Sequence, residues 1–375
     1  MRQPIYADHA ATTPLDPTVF EAMTPWFLEE YGNAAQPYSF ARKPKKALAK
    51  ARAAIAECIG ALPEEIYFTS GGTESDNWAV KGSAFEDRQY RAVITSAFEH
   101  HAILHACKAI ERLHWPVIYI QPTTGGLILP EMLEDAISGP VCLVSIMYAN
   151  NEIGTIQPIQ DLCAIAHRQG AIFHTDAVQA MGHVNIDVQK LDVDMLSASA
   201  HKFNGPKGIG FLYIRRGTKI VPYADGGAQE QGLRAGTENI ASIVGMAAAL
   251  KLNCDSLARN RQIISNLEDR LIHRLGEAGI SYRRNGGGTK LPGLLNLSFP
   301  GADGEAILHR MDLMGISIST GSACNSANTA ISHVLKAINL DETFAKGTVR
   351  ISLGKRNTEE EVDRIAAALI KILQS

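Results

Sequence analysis

Short apolar runs alternate with amphipathic stretches along the first two thirds of the chain. The apolar runs, which have the length and composition of buried strands, lie at residues 66–69, 92–95, 117–120, 141–147, 171–174, 195–199 and 210–214. Between most of them, as at residues 44–59 and 159–169, apolar residues recur at helical spacing. Strands that alternate with helices form mainly parallel sheets. The pattern therefore predicts an α/β fold with a mainly parallel seven-stranded sheet and an antiparallel strand at 210–214.

The pattern changes at about residue 255. A long amphipathic helix with Leu257, Leu267 and Leu275 on its apolar face leads into shorter strands such as 294–299, and residues 359–373 form a last amphipathic helix. This mixture predicts a smaller α+β domain. We expect a large α/β domain at 14–254 and a small domain made of 1–13 and 255–375.

Composition excludes several classes of protein. The 375 residues are 46% hydrophobic and 20% charged, with a formal net charge of -3. These values suit a globular enzyme-sized core and disfavour a dedicated binder of nucleic acid or anionic membranes. The basic residues within 42–52 lie on one predicted helix and are expected to form a solvated face. Residues 1–8 lack a signal-peptide core, and no apolar run is long enough for a bilayer. We expect a cytoplasmic protein.

The six cysteines are widely spaced, without a C-x-x-C pair, so neither a metal site nor a disulfide framework is expected. Cys142 lies in an apolar run and is expected to be a core thiol. Cys324 lies among small polar residues at 319–329, a composition typical of an exposed loop. A thiol in such a loop is poised to react. The alternative is an incidental surface cysteine.

A phosphate-binding turn is predicted at Ser70-Gly71-Gly72-Thr73, which follows a strand and opens a helix. Backbone N–H groups at such a turn form an anion nest, and the helix N-terminus adds a favourable dipole. The alternative is an ordinary tight turn. Because no Gly-Lys-Ser/Thr follows, the segment is not a Walker loop.

A reactive lysine is predicted in Ser199-Ala200-His201-Lys202, at the end of an apolar segment. A partly desolvated amine on a rigid element can be neutral near pH 7 and attack a carbonyl, which is the chemistry that holds pyridoxal phosphate. A surface lysine at a strand end is the alternative.

A carboxylate for the pyridinium nitrogen of such a cofactor is available in Asp176, at the carboxyl end of a predicted strand. Gln179 follows at helical spacing, where it can contact the ring hydroxyl. The alternative is that Asp176 only caps the next helix.

Three further polar residues follow strands or lie in them. His100 can stack on the cofactor and move protons, or it can be a simple helix-terminus residue. Asn151 can offer an amide to the ring hydroxyl, or it can be a turn asparagine. Arg350, in an apolar strand pattern, can bind the carboxylate of an amino-acid substrate, or it can form an internal ion pair.

With these residues in order, the chain closely resembles the cysteine desulfurases of the NifS/IscS type, within the class V aminotransferase family of fold-type I pyridoxal-phosphate enzymes. The resemblance runs almost end to end. Its matched motifs are YADHAATTP at 6–14, TSGGTES at 69–75, EH at 99–100, NNEIG at 150–154, HTDAVQ at 174–179, SAHK at 199–202, RAGT at 234–237, GSAC at 321–324 and RISLG at 350–354.

The resemblance implies a role for each matched residue. Lys202 would hold pyridoxal phosphate and move the Cα proton, His100 would stack on the ring as an acid/base, and Asp176 would pair with the pyridinium. Further cofactor contacts would be Gly72, Thr73, Ser199 and His201 at the phosphate, Asn151 and Gln179 at the ring hydroxyl, and Thr237 at the phosphate of the other subunit of a homodimer.

The implied reaction is the removal of sulfur from L-cysteine. Arg350, with Asn151, would bind the substrate carboxylate, and Cys324 would accept the sulfur as a persulfide. An acceptor protein, either an iron–sulfur scaffold or a sulfur carrier, would then collect it for iron–sulfur clusters, thiolated tRNA or another product. Competing interpretations are a selenocysteine lyase, a class V aminotransferase, and a docking or sulfur-carrier module without turnover.

Overall fold

The computed structural model describes residues 4–87, 89–321 and 331–375. Its strands are β1 (Ile5–Tyr6), β2 (Ile66–Thr69), β3 (Ala92–Ser96), β4 (Val117–Ile120), β5 (Val141–Ser145), β6 (Ile172–Asp176), β7 (Met195–Ser199), β8 (Gly210–Ile214), β9 (Arg283–Arg284), β10 (Leu294–Ser298), β11 (Ile316–Ser317) and β12 (Thr348–Ser352). Its helices are α1 (Pro17–Met23), α2 (Pro25–Leu28), α3 (Arg42–Ile59), α4 (Gly72–Glu86), α5 (His101–Glu111), α6 (Pro130–Ala136), α7 (Ile159–Arg168), α8 (Val188–Leu191), α9 (Ile240–Asp255), α10 (Leu257–Glu277), α11 (Gly304–Leu313), α12 (His333–Ala337), α13 (Glu342–Ala345) and α14 (Glu359–Leu373).

A central sheet organises the larger part of the molecule. Within the described residues it has seven strands, in the order β2-β8-β7-β6-β5-β3-β4. β8 is antiparallel to both of its neighbours, and the other pairs are parallel. Every residue of β5 and β7 is buried, as expected for strands with both faces covered by helices. The α/β fold predicted from the sequence, including the antiparallel strand at 210–214, is confirmed.

Two predictions about the segments at the carboxyl ends of the strands were wrong. The strand predicted over 141–147 ends at Ser145, and the segment after Asp176 forms turns instead of a helix. The amide of Met181 donates to the carbonyl of Ala177 at 2.8 Å within these turns. Gln179 therefore follows Asp176 on a turn.

A second core lies beside the sheet. β10 pairs antiparallel with β9 and β12, and β1 pairs parallel with β11. Ile5 and Ala7 from the N-terminal segment pack in one cluster with apolar residues of α10, α11, β12 and α14. The cluster agrees with a small α+β unit that includes both ends of the chain. The domain limits 14–254, 1–13 and 255–375 stay a prediction.

Local sequence signals set the ends of the helices around these cores. Gly60 ends α3 with φ +70°, a left-handed C-cap that glycine adopts without strain. At the start of α14, the hydroxyl of Thr358 accepts from the amide of Glu361 at 3.2 Å, and the carboxylate of Glu361 accepts from the amide of Thr358 at 3.1 Å. This reciprocal capping box fixes the start of the last helix.

The basic run on α3 is only partly a solvated face, which corrects the expectation for 42–52. Most of its basic side chains are exposed, but Arg52 turns inward, 17% exposed, to Glu230, which is 4% exposed. Its two terminal nitrogens lie 2.6 and 2.8 Å from the Glu230 oxygens, and its guanidinium stands 4.3 Å from the centre of the Phe68 ring. Glu230 also accepts from the amide of Phe68 at 2.8 Å. This ion pair attaches the segment around Glu230 to the edge of the sheet.

Replacing Arg52 with methionine is expected to lower the free energy of unfolding by about 3 kcal/mol, because Glu230 would keep a buried charge without its partner. Lys43→Ala is the matched control. Lys43 lies on the same helix as Arg52 and pairs with Glu30, but it is 73% exposed, so its loss should change the free energy of unfolding much less. Chemical denaturation of both variants measures the difference, and equal losses would contradict the assignment.

The described ranges contain no single membrane-spanning helix and no cluster of metal ligands. No single helix there is long and apolar enough to cross a membrane. Taken together, α9 and α10 have the required length and apolarity, but their axes are bent by 73° relative to each other. The same ranges contain no group of three or more His, Cys, Asp or Glu side chains that could hold a metal ion.

Candidate active site

The carboxyl ends of β2, β3, β5, β6 and β7 border a cavity of about 520 Å³ at one edge of the central sheet. Ligands of open α/β sheets bind at this edge. Residues singled out from the sequence that line the cavity are Gly72, Thr73, His100, Asn151, Asp176, Gln179, Ser199, His201, Lys202 and Arg350. Thr237 lies elsewhere, and Cys324 lies outside the described residues.

One end of the cavity is a tight backbone turn. Gly71 precedes α4 with φ +149° and ψ -177°, a conformation that only glycine adopts readily. A Cβ on Gly72 would lie 2.6 Å from Cγ2 of Val178, so a side chain there would force Val178 aside. The amides at the start of α4 thus line a space without side chains, and the helix dipole favours an anion there. This end of the cavity fits a phosphate group.

Lys202 lies in the middle of the cavity, at the end of a 3-10 turn that follows β7. Its Nζ donates to the carbonyl oxygens of Ala10 at 2.5 Å and Ala11 at 3.0 Å. These carbonyls belong to the N-terminal segment, whose residues Ala10 and Ala11 also line the cavity. The side chain is therefore held at the site by backbone groups far away in the sequence.

A buried carboxyl group, that of Asp176, lines the cavity. Asp176 is 5% exposed at the end of β6, and its Oδ1 accepts from the amide of Val178 at 2.9 Å. Burial raises the pKa of Asp176 to about 6, and this amide and the positive charge of Lys202 act in the opposite direction. A cationic nitrogen in the cavity would stabilise its ionised form.

Two buried acceptor atoms of residues that line the cavity with Asp176 have no hydrogen-bond partner from the protein. They are Oε1 of Gln179 and Oδ1 of Asp76. Buried polar atoms are nearly always paired, so orphaned acceptors at a cavity wall indicate a ligand with donors. Pyridoxal phosphate has a ring hydroxyl, a pyridinium N–H and a phosphate. The residues present therefore fit this cofactor.

Both histidines of the cavity are held neutral. Burial, followed by the charge of Lys202, lowers the pKa of His100 to about 4. Its Nδ1 accepts from the amide of Ala102 at 3.1 Å, so the neutral ring carries its proton on Nε2. Burial also lowers the pKa of His201 to about 4, and His201 Nδ1 lies 3.1 Å from Oγ1 of Thr12. His100 both caps α5 and lines the cavity, and its action on a cofactor stays a prediction.

Arg350 forms the internal ion pair that was one of its two interpretations, and its role in binding a substrate carboxylate stays a prediction. It is 4% exposed on β12 and forms an ion pair with Asp8, with 2.7 Å between Nη2 and Oδ1. Its Nη1 donates to the carbonyl of Asn151 at 3.1 Å, while its buried Nε has no partner in the protein. The guanidinium lines the cavity and keeps an unused donor. A ligand carboxylate could reach it there.

Sequence reasoning missed two buried carboxyl groups at the site, Asp76, which lines the cavity, and Glu99. Asp76, on α4 and 1% exposed, has its pKa raised well above its ordinary value by burial and by Asp176. Glu99 is fully buried, its pKa is raised to about 8 by burial, and it accepts from the amide of Met147 at 3.0 Å. Their position in the sequence was the available signal, since Glu99 lies within a matched motif and Asp76 directly follows one.

Thr237 lines a separate cavity of about 200 Å³, together with Phe68, Gly208 and Arg234. Within this chain it does not border the cavity of Lys202. Arg234 beside it pairs with Glu74 at 2.8 Å, which attaches this segment to the first turn of α4. The placement leaves Thr237 unused by the site of its own chain.

The geometry is that of a known class of protein. Residues 5–365 match the family described as Aminotransferase class-V, and the chain belongs to it. A curated relative from Methanosarcina thermophila, "Cysteine desulfurase IscS", is 45% identical over 99% of this chain and 92% of its own length. A solved structure called "NIFS-LIKE PROTEIN" superposes with a TM-score of 0.93 at 37% identity, covering 99% of this chain and 100% of that one. Another, "SspA in complex with cysteine", has a TM-score of 0.84 at 37% identity over 94% of this chain and 100% of that one.

Proposed function

We propose that the chain is a pyridoxal-phosphate-dependent cysteine desulfurase, which converts L-cysteine to L-alanine and carries the sulfur as a persulfide on Cys324. The observation that carries this proposal is the cavity that brings Lys202, Asp176 and Arg350 to one sheet edge. The relatives named as cysteine desulfurases along nearly the whole chain support the same activity.

The cofactor would be held at three points. The turn of Gly72 and Thr73, with Ser199 and His201, would bind its phosphate. Asp176 would pair with the ring nitrogen, while Gln179 and Asn151 would contact the ring hydroxyl. When bound, pyridoxal phosphate withdraws electrons from the Cα of the amino acid that it carries.

The protein groups then supply orientation and proton transfer. Arg350 would bind the substrate carboxylate through its free Nε–H, with Asp8 fixing the plane of the guanidinium. Lys202 would bind the cofactor through Nζ, and after release it would take the proton from Cα. His100, neutral with its proton on Nε2, can stack on the ring and donate that proton towards the reacting sulfur.

The sulfur-transfer step needs no added oxidant or reductant. Sγ of Cys324, as the thiolate, attacks Sγ of the bound cysteine. An S–S bond forms, the Cβ–Sγ bond breaks, and its electron pair remains with the carbon skeleton, which is protonated and leaves as alanine. L-cysteine and a thiol thus become L-alanine and a persulfide, and an acceptor thiol removes the outer sulfur by exchange.

The wider setting is part of the proposal. The acceptor would be a protein of iron–sulfur cluster assembly or another sulfur carrier, reached in the cytoplasm without direct nucleic-acid or membrane contact. A homodimer would let Thr237 bind the cofactor phosphate of the partner subunit. Supporting it, large exposed apolar side chains are concentrated in one stretch of sequence, namely Phe20, Phe27, Leu28, Tyr31, Tyr38 and Phe40.

A product assay tests the activity. The purified protein, loaded with pyridoxal phosphate and given L-cysteine and a thiol reductant, is expected to release alanine and sulfide in equal amounts. Pyruvate and ammonia in place of alanine would indicate an elimination reaction and contradict the proposal. Alanine formed only with an added keto acid would indicate an aminotransferase.

Asp176→Asn is expected to weaken cofactor binding and to lower turnover by about 10²-fold or more, because a neutral amide cannot stabilise the pyridinium. Absorbance titration of the apoprotein measures the affinity. Asp194→Asn is the control, since Asp194 accepts from Phe173 at the other end of β6, away from the cavity.

The same titration has a pH signature. Since the pKa of Asp176 is raised to about 6, the carboxyl is protonated below that pH and cannot pair with a cation. Affinity for the cofactor should fall more steeply in the wild type than in Asp176→Asn as the pH drops through about 6, because the titration of the cofactor phosphate, with a pKa of about 6, is common to both proteins. A wild-type affinity that does not change across this range would contradict the assigned partner.

A further inference from the structure

Glu152 is a buried carboxyl group that the reaction described above does not use. It is 4% exposed in the turn that follows Asn151. The turn is rigid, because the side-chain oxygen of Asn150 accepts from the amides of Glu152 at 2.9 Å and Ile153 at 3.0 Å. The amide group of Asn150 is itself fixed to the carbonyl of Phe98 at 3.0 Å. The backbone that presents Glu152 therefore has little freedom.

The carboxylate of Glu152 contacts two residues, Gly321 and Ser332, that are eleven positions apart in the sequence. Its Oε2 accepts from the hydroxyl of Ser332 at 2.6 Å. A Cβ on Gly321 would lie 2.8 Å from the same oxygen, so Gly321 packs directly against it with φ +85°. In the sequence, Gly321 and Ser332 stand on opposite sides of Cys324. Oε2 of Glu152 thus contacts one residue on each side of Cys324 in the sequence, namely Gly321 and Ser332.

The same turn also contacts the substrate end of the site. The carbonyl of Asn151, next to Glu152, accepts from Arg350 Nη1 at 3.1 Å. Ser319 and Arg350 exchange backbone hydrogen bonds at 2.6 and 3.0 Å, so the strand of Arg350 continues this network to within two residues of Gly321. The distance between bound substrate and the residues that flank Cys324 is therefore set through the turn.

Burying a carboxyl group here is costly. Burial raises the pKa of Glu152 to about 7, while Ser332 and the charge of Arg350 act against this rise. Glutamate is seldom fully buried unless it has specific partners. The side chain of Glu152 contacts Ser332 and Gly321, which lie on opposite sides of Cys324 in the sequence. These contacts indicate that Glu152 holds the two residues in place.

We propose that Glu152 is a positioning residue for the sulfur-transfer step, fixing Gly321 and Ser332 relative to the Arg350 side of the site. The proposal rests on the proposed desulfurase function. It acts through geometry, since displacement of a reacting group by about 1 Å can cost about 10²-fold in rate. Glu152 touches neither cofactor nor substrate in this assignment.

The test separates sulfur transfer from the steps before it. Glu152→Ala is expected to slow alanine formation from L-cysteine in a single turnover by about 10- to 100-fold. Exchange of the Cα proton of L-alanine with deuterium from solvent needs the cofactor and Lys202 but no thiol, and it should be unchanged. The KM for L-cysteine should also be unchanged, and Glu152→Gln, which keeps an acceptor oxygen, should recover most of the rate.

Ser332→Ala removes one of the two contacts and should cause a smaller loss. If Glu152 acts through Ser332, the double variant with Glu152→Ala should be no slower than Glu152→Ala alone. Glu65→Ala is the matched control for general damage, because Glu65 is equally buried, caps the amide of Leu62 and lies far from the cavity.

Two results would overturn the inference. Unchanged sulfur transfer in Glu152→Ala would show that the side chain positions nothing. An equal fall in proton exchange and sulfur transfer would show a general structural role. Failure of the proposed function itself is distinguishable, because the wild-type protein would then form no alanine from L-cysteine.

Discussion

Replacing Cys324 with alanine is expected to abolish release of alanine and sulfide from L-cysteine, with a fall in turnover of about 10³-fold or more. Without the Cys324 thiolate, no nucleophile attacks the Sγ of the substrate. The Cβ–Sγ bond of the substrate therefore stays intact. Cofactor binding and exchange of the Cα proton of L-alanine should be retained, since they depend on Lys202 and Asp176.

A second cysteine provides the control for this variant. Cys58 is a partly buried free thiol on α3 and does not line the cavity. Cys58→Ser should keep wild-type turnover. Full activity of Cys324→Ala would exclude it as the sulfur acceptor and favour a selenocysteine lyase or another lyase of the same family.

Replacing Lys202 with alanine is expected to remove both the covalent attachment of the cofactor and the Cα proton acceptor. Turnover should fall by about 10²–10⁴-fold, the usual contribution of a positioned acid/base group. The cofactor absorbance should be lost on desalting. Proton exchange on L-alanine should fall as strongly as sulfur release, in contrast to Cys324→Ala.

Lys355 is the matched control for Lys202. It is also partly buried, burial lowers its pKa, and its Nζ donates to Asn253 at 3.0 Å. It does not line the large cavity. Lys355→Ala should retain the cofactor absorbance and proton exchange. Retention of cofactor on desalted Lys202→Ala would contradict the assignment of Lys202.

Much of the fold is readable from the sequence because the strands of the central sheet are buried on both faces. Runs such as 195–199 contain no charged residue, and β7 has the predicted bounds. Strand ends are less predictable. Ile146 and Met147 are as buried as β5 itself, so hydrophobicity alone could not show that the ladder ends at Ser145.

Most of the cavity-lining residues could be singled out because they closely follow strands in the sequence. Their partners could not be found in this way. Lys202 is bound by the carbonyls of Ala10 and Ala11, and Arg52 is bound by Glu230. Such pairs are separated by well over a hundred residues, and a charged residue on a helix has the same local pattern whether it faces water or a distant carboxylate.

The role of Glu152 also could not be predicted from the sequence, because its contacts are with residues far away along the chain. Within Asn150-Asn151-Glu152 it is one polar residue among others, and nothing nearby in the sequence indicates burial. Only the fold brings Gly321 and Ser332 to its carboxylate. Residues that line the cavity can thus be predicted from local position, whereas the contacts of Glu152 require the tertiary structure.

The most direct test of the account is to locate the sulfur after one turnover. The cofactor-loaded protein is given one equivalent of L-cysteine without reductant, the thiols are capped, and the peptides are analysed by mass spectrometry. The account predicts one additional sulfur atom on the peptide that contains Cys324, matched by an equal amount of alanine. Alanine formed with free sulfide and no adduct on Cys324, or with the sulfur on another cysteine, would contradict it.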